Sequence, residues 1–334
     1  MTNNDQHTSN SLKKCNLKLR DDLKYNLKEN DMPTVKTFIR NALLLMCIFL
    51  TASCSAGNIN PEIILIGSTP GDQPIKTMLT IPAETKVDFI RWNLILDNKK
   101  TFVLDIAYGE SKPNTLDFKS AGKQTIKGTY LIVKNLEDNR FKEIYQFKSD
   151  DLPEIISIVK INENLFHILT PQGKLMIGNG GWSYSLNRKV FIDSGEILIS
   201  SPKPDDKSRQ LVFEGRTPCQ EISTEHPEMN ASPFCFKIKW RLILNRDSIT
   251  HEPTICTIRT IVNNQPRDVT GRWTIIKGTA TNAETIIYDV QADNLAEPIL
   301  FLLGDENVLF FLDKDNNPFI GNEDFSFTMN KRVQ

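Results

Sequence analysis

A chain of 334 residues with 40 Lys and Arg against 41 Asp and Glu carries a formal charge of -1. That balance leaves no cationic surplus for nucleic acid, and the basic residues are scattered, with no patch beyond the N-terminal leader. Hydrophobic content of 40% with 24% charged residues fits a soluble globular protein, not a disordered or membrane-spanning one.

Taken in chain order, residues 1–31 are polar and mixed in charge. Lys36 and Arg40 then precede an apolar run from Ala42 to Leu50, which ends in Thr51-Ala52-Ser53-Cys54. A basic stretch, a short apolar core and small residues before a cut site describe a secretory signal. The run is roughly half the ~20 residues that a bilayer-spanning helix needs. The cysteine directly after the small residues resembles the lipobox of bacterial lipoproteins, in which that cysteine is lipidated and becomes the new N-terminus. Leu50 stands one place upstream of the usual lipobox leucine, with Thr51 in its position. The expectation is a signal peptide over 32–53, lipidation of Cys54 and a tether over 54–62. Residues 1–31 are then a disordered extension, or lie upstream of a true start at Met32. The expected location is the bacterial envelope, at the periplasmic face of the outer membrane, with the membrane as partner through the lipid.

The rest of the chain is a repeat. Gly67-Ser68-Thr69-Pro70 recurs as Gly215-Arg216-Thr217-Pro218, and Arg91-Trp92-Asn93-Leu94-Ile95-Leu96 as Lys239-Trp240-Arg241-Leu242-Ile243-Leu244 at the same offset. After a small deletion, Gly128-Thr129-Tyr130 matches Gly271-Arg272-Trp273, and the copies run without a gap to Asn187-Arg188 and Asn330-Lys331. Roughly eighteen identities fall in about sixty positions of this last stretch, far beyond coincidence. Each copy is about 120 residues, the size of a domain rather than a solenoid unit. The boundaries that follow are 63–201 for the first repeat, 202–210 for a linker around Pro202-Lys203-Pro204-Asp205-Asp206, and 211–334 for the second. Ile197-Leu198-Ile199 reads as a closing strand of the first copy.

Within each copy, short β-branched and aromatic runs such as Thr101-Phe102-Val103-Leu104-Asp105-Ile106 and Thr274-Ile275-Ile276 alternate with turn residues. Asn162-Glu163-Asn164, Pro171-Gln172-Gly173, Asp305-Glu306-Asn307 and Asp315-Asn316-Asn317-Pro318 supply those turns. No segment sustains an apolar 3.6-residue period long enough to predict a helix. The fold class is all-β: two tandem small antiparallel β-barrels behind a lipoprotein signal peptide.

The segment Gly215-Arg216-Thr217-Pro218-Cys219-Gln220-Glu221, the Gly271-Arg272-Trp273 step, Tyr288 and the hairpin Val308-Leu309-Phe310-Phe311-Leu312-Asp313-Lys314-Asp315 resemble the lipocalin-like barrel of the NlpE family. Those are envelope lipoproteins linked to copper homeostasis and surface-stress sensing. The resemblance implies a barrel fold and an envelope role. It does not imply copper, because Ile222 stands where the family's second cysteine would fall, and Gly71 replaces even the first in copy one.

Three cysteines follow Cys54. Cys219 aligns with Gly71 and Cys235 with Val87, so copy one lacks both together, as a bonded pair would show. In an exported protein a Cys219–Cys235 disulfide is therefore expected, with Cys256 as a buried free thiol on a strand. The enclosed loop carries Glu225, His226 and Met229, a soft ligand set that could hold copper or zinc if the sulfurs were free. Trp92 and Trp240 are expected in the cores. Gly178-Asn179 and Gly321-Asn322 precede each last strand, where Gly and Asn tolerate positive φ. His167 matches Phe310, which predicts a packed strand position. No nucleophile elbow, zinc-protease helix, phosphate loop or Cys/His dyad is present. The reading is a non-enzymatic protein without a cofactor, with two modules for a small apolar ligand or an envelope protein. A copper-homeostasis or stress protein using the Cys219–Cys235 loop is the second reading, and an unrecognised hydrolase the third. Hollow barrels would favour the first.

Overall fold

The computed structural model describes residues 62–113, 115–134, 140–203, 207–229 and 232–332. The leader, Cys54 and the tether up to residue 61 lie outside them. Strands β1 (Ile63–Pro70), β2 (Phe89–Leu96), β3 (Thr101–Gly109), β4 (Gly122–Val133), β5 (Ile144–Lys148), β6 (Ile156–Lys160), β7 (Leu165–Ile168) and β8 (Ser185–Arg188) pair in sequence order into a closed antiparallel barrel. Strands β9 (Gln210–Thr217), β10 (Ile238–Arg246), β11 (Pro253–Val262), β12 (Gln265–Lys277), β13 (Ile286–Ala292), β14 (Ile299–Asp305), β15 (Val308–Leu312) and β16 (Thr328–Lys331) form a second one. Closure is thin in both. Two residue pairs join β8 to β1, Leu65 with Arg188 and Ile66 with Asn187, and two join β16 to β9.

Period-two burial explains the inner faces. Along β2 every second residue from Ile90 to Leu96 is buried, and β10 repeats this from Ile238 to Arg246. Both interiors are filled by side chains. Trp92, Phe102, Phe147, Phe166 and Tyr184 belong to one packed cluster, and Trp240, Phe301, Phe311, Phe327 and Trp273 to the other. The indole N–H of Trp92 donates to Thr69 Oγ1 at 2.9 Å, and that of Trp240 to Thr217 Oγ1 at the same distance. Each large apolar body is thus buried with its single donor satisfied.

Two short helices lie in corresponding places: α1 (Gln73–Met78) after β1 and α2 (Gln220–Glu225) after β9. Six residues are too few to leave a helical period in the sequence, so neither was legible there. Each inserts one residue, Ile75 or Ile222, into its barrel's core with no exposed surface.

The two barrels share a third core. Ile144, Val159, Leu165 and Leu169 of the first meet Ile287, Leu302, Val308, Phe310 and Leu312 of the second. Apart from Phe310, which matches His167, the first four correspond by repeat position to Ile287, Leu302, Val308 and Leu312. Polar contacts obey the same symmetry. Ser183 Oγ lies 2.5 Å from its counterpart Ser326 Oγ, and Ser185 Oγ lies 2.8 Å from its counterpart Thr328 Oγ1. Gly178 N–H donates to Asn330 Oδ1 at 2.7 Å, and the matching Gly321 N–H donates to Asn187 Oδ1 at 2.8 Å. The junction is an isologous contact, as in a two-fold dimer, made within one chain.

Two expectations change here. Ile197-Leu198-Ile199 does not close the first barrel, because β8 already pairs with β1. Instead it runs between the barrels, bridging Phe141 through Ile199, while Asn282 Nδ2 donates to the carbonyls of Ile197 and Ile199. The side chains of Ile197 and Ile199 belong to the shared core. The Gly-Asn pairs, in turn, have no positive φ. Asn179 Oδ1 accepts from the N–H groups of Gly181 and Trp182, and Asn322 Oδ1 from those of Asp324 and Phe325. The glycines are needed for close approach: a Cβ on Gly178 would lie 2.2 Å from Trp182 O, and one on Gly321 2.3 Å from Phe325 O. Gly178→Ala is therefore expected to destabilise by about 1–3 kcal/mol. A Gly178→Ala melting curve coincident with the parent's would refute this.

Candidate functional site

Cys219 and Cys235 are bonded, with Cα atoms 5.9 Å apart. The corresponding pair in the first barrel, Gly71 and Val87, is also in contact, since a Cβ on Gly71 would sit 2.3 Å from Val87 Cγ1. The two copies thus bring the same positions together, one with a covalent staple and the other by glycine packing. Closing a loop of this size removes about 3 kcal/mol of unfolded-chain entropy. Reduction should lower the unfolding midpoint of the protein by loosening the second barrel, because the first has no bridge to lose. An unchanged midpoint with both thiols titrating as free would count against it. Cys256 is the buried free thiol, its pKa pushed up to about 11, chiefly by burial. It should stay silent to thiol reagents until unfolding.

The three ligand candidates in the stapled loop face different neighbours. Glu225, at the end of α2, takes a hydrogen bond from the Lys314 backbone, and burial and Asp313 raise its pKa. His226 is buried, with Nδ1 3.7 Å from Glu228 Oε1, and burial holds its pKa down. Met229 packs on the core of the second barrel. Among the described residues no three His, Cys, Asp or Glu side chains gather as a metal site, and the disulfide engages both sulfurs.

Among the described residues, open space is found outside the two packed clusters. At the edge of the second barrel, beside Met229 and Leu295, a hollow of about 20 Å³ has room for roughly one water. A cleft of about 540 Å³ opens between the barrels. Its apolar wall is Pro74, Leu175, Met176 and Ile177; its charged edge includes Arg140, Lys174, Lys203 and the Asp305-Glu306 turn of β14–β15. Gly304 lets the barrels close up at this point, since a Cβ there would lie 2.9 Å from Leu175 Cδ1.

Two carboxylates of the cleft are tied into the scaffold. Asp72 caps α1 and accepts a 2.6 Å hydrogen bond from Tyr184 Oη, whose pKa is raised by burial and by that carboxylate. Asp305 accepts from the Asn307 N–H at 2.8 Å. Burial raises its pKa, against the pull of the Asn307 and Val308 N–H groups and of Arg140.

Behind Met176 lies His167, with no exposed surface. Its Nε2 donates to Met176 O at 2.9 Å, so Nδ1 accepts from Ser185 Oγ at 3.0 Å. The ring meets Phe310 edge-on at 5.6 Å. The matched residues of the two copies are therefore in physical contact, as packed strand residues.

Trp92, Trp240 and His167 are core residues, as expected. Sequence reasoning missed the cleft, because its walls come from α1, the β7–β8 connection, the linker and the β14–β15 turn. One signal was available. Val308-Leu309-Phe310-Phe311-Leu312 is apolar without alternation, the mark of a strand buried on both faces. That pattern could have disclosed the shared core, and with it a cleft at the core's margin. No protein family, curated protein or solved structure matches the chain.

Proposed function

We propose that this chain is a non-enzymatic envelope lipoprotein, anchored through Cys54, that binds a small amphipathic ligand in the cleft between its barrels. The carrying observation is where the space lies. Both interiors are packed, while the cleft has the volume and the mixed lining of a ligand pocket, with an apolar wall and a few charged groups at its edge. The barrels thus serve as rigid walls rather than as containers. A filled eight-stranded barrel suits that role as readily as a hollow one suits ligand storage. The shared core holds the two walls at a fixed separation.

An environment-sensitive apolar dye should bind the parent protein. Ile177→Glu places a charge on the apolar wall and is expected to weaken binding at least tenfold, while Trp92→Phe, inside the barrel, should leave it unchanged. Binding that survives Ile177→Glu and is lost in Trp92→Phe would place the ligand in the barrel and sink the cleft reading. The anchor is tested separately. Multiple acyl chains give stable membrane attachment where one does not, so Cys54→Ser should move the protein to the soluble envelope fraction. A Ser variant that is processed and retained like the parent would contradict lipidation.

A further inference from the structure

A second notch at the junction, of about 90 Å³, shares no lining residue with the cleft. Its wall is a stack of rings. Phe118 lies 4.2 Å from Phe89, and Phe89 lies 5.0 Å from Trp182, at interplanar angles of 12° and 9°. The Arg216 guanidinium continues the stack, 5.3 Å from the Trp182 centroid. Lys237 Nζ stands 5.8 Å over Phe325, on the second barrel's side. Phe89, Trp182, Arg216, Lys237 and Phe325 all line the notch.

The charges here do not balance. Arg91 is matched by Asp324. Among the described residues, no carboxylate lies within ion-pair distance of Arg216 or Lys237; burial pushes Arg216 down, and burial, Arg216 and Lys239 push Lys237 down. Lys112 adds an exposed cation to the lining. Two partly desolvated cations that repel one another are stabilised by an anion between them. A planar guanidinium fork beside a point-charge ammonium is a donor set suited to a tetrahedral oxyanion. The notch is too small for a drug-sized molecule, for which several hundred Å³ is usual. Among the lining residues, Lys112, Arg216 and Lys237 face only Asp324, itself paired with Arg91, with Glu323 and Asp117 farther out, and this excess favours a dianion over a monoanion.

We propose that Arg216 and Lys237, backed by Trp182, bind the phosphate group of a phosphate monoester at the junction of the two barrels. The site stands independently of the cleft reading, since it uses other residues and another chemistry.

Titration of the full-length protein with inorganic phosphate, at constant ionic strength, tests it. Trp182 is half-buried while Trp92, Trp240 and Trp273 are buried, so tryptophan fluorescence reports on this notch. A saturable change is expected, with a rise in melting temperature that acetate does not reproduce. Arg216→Gln and Lys237→Gln should each weaken apparent affinity at least tenfold, and Lys99→Gln, on the surface, should not. Should Arg216→Gln fail to fold, the half-exposed Lys237→Gln carries the same comparison. Glycerol 3-phosphate and a short-chain soluble phosphatidic acid distinguish the sources: tighter binding of the second identifies a lipid headgroup, and equal binding a free metabolite. No saturable response to phosphate, an equal response to acetate, or folded variants with unchanged affinity would overturn the proposal.

Discussion

Phe310→Ala is expected to cost about 3–5 kcal/mol, the range for removing a fully buried aromatic from a packed core. Phe310 has no exposed surface and belongs to the core shared by the barrels, with its ring edge-on to His167. The neighbours cannot collapse into the gap easily. Leu302 and Val308 are held in the ladders of β14 and β15, and on the facing side His167 is fixed by hydrogen bonds at both ring nitrogens. Truncation should therefore loosen the junction as well as lower stability, and one cooperative unfolding transition should separate into two. Denaturant unfolding followed by tryptophan fluorescence and circular dichroism checks both points. Phe191→Ala, at a residue 64% exposed, serves as the comparison and should change little. A loss below about 1 kcal/mol for Phe310→Ala would show that the shared core does not hold the barrels together.

Acid should weaken the same junction through His167. Burial lowers the imidazole to about 4 from an ordinary 6.5, opposed only by its hydrogen bond to the Met176 backbone. Above pH 6.5 neither the folded nor the unfolded chain protonates it, and nothing is lost. As pH falls from 6.5 toward 4, the unfolded chain takes the proton and the folded chain does not, so stability declines. Below about 4 both take it and the loss levels off. At about 1.4 kcal/mol per pH unit, the total is roughly 3–4 kcal/mol. Asp305 and Asp324 work in the opposite direction, because burial raises both and protonation relieves them. The informative quantity is thus the difference between parent and His167→Gln across pH 4–7. Parallel curves would refute the assignment of the acid loss to His167.

Much of the architecture was legible because it is written locally. Alternation along β2 and β10 gives strands, turn residues at Asn162-Glu163-Asn164 and Asp305-Glu306-Asn307 separate them, and the internal repeat shows that whatever forms once forms twice. The cysteine pairing was also accessible. Gly71 and Val87 replace Cys219 and Cys235 together, and the structure brings both pairs into contact. The short helices left no trace, since six residues complete fewer than two helical turns, and a single core residue such as Ile75 or Ile222 makes no period.

What the sequence by itself determined is the barrel, its duplication and the staple, all of which depend on period, turn chemistry and paired substitutions within one copy. Only the tertiary structure decided how the copies meet. A contact such as Ser183 with Ser326, or Gly178 with Asn330, joins residues far apart in the chain, and nothing in either segment's local pattern names its partner. The cleft and the phosphate notch are products of that meeting. Their walls come from both barrels, so their shape and charge exist only once two packed surfaces have been brought face to face.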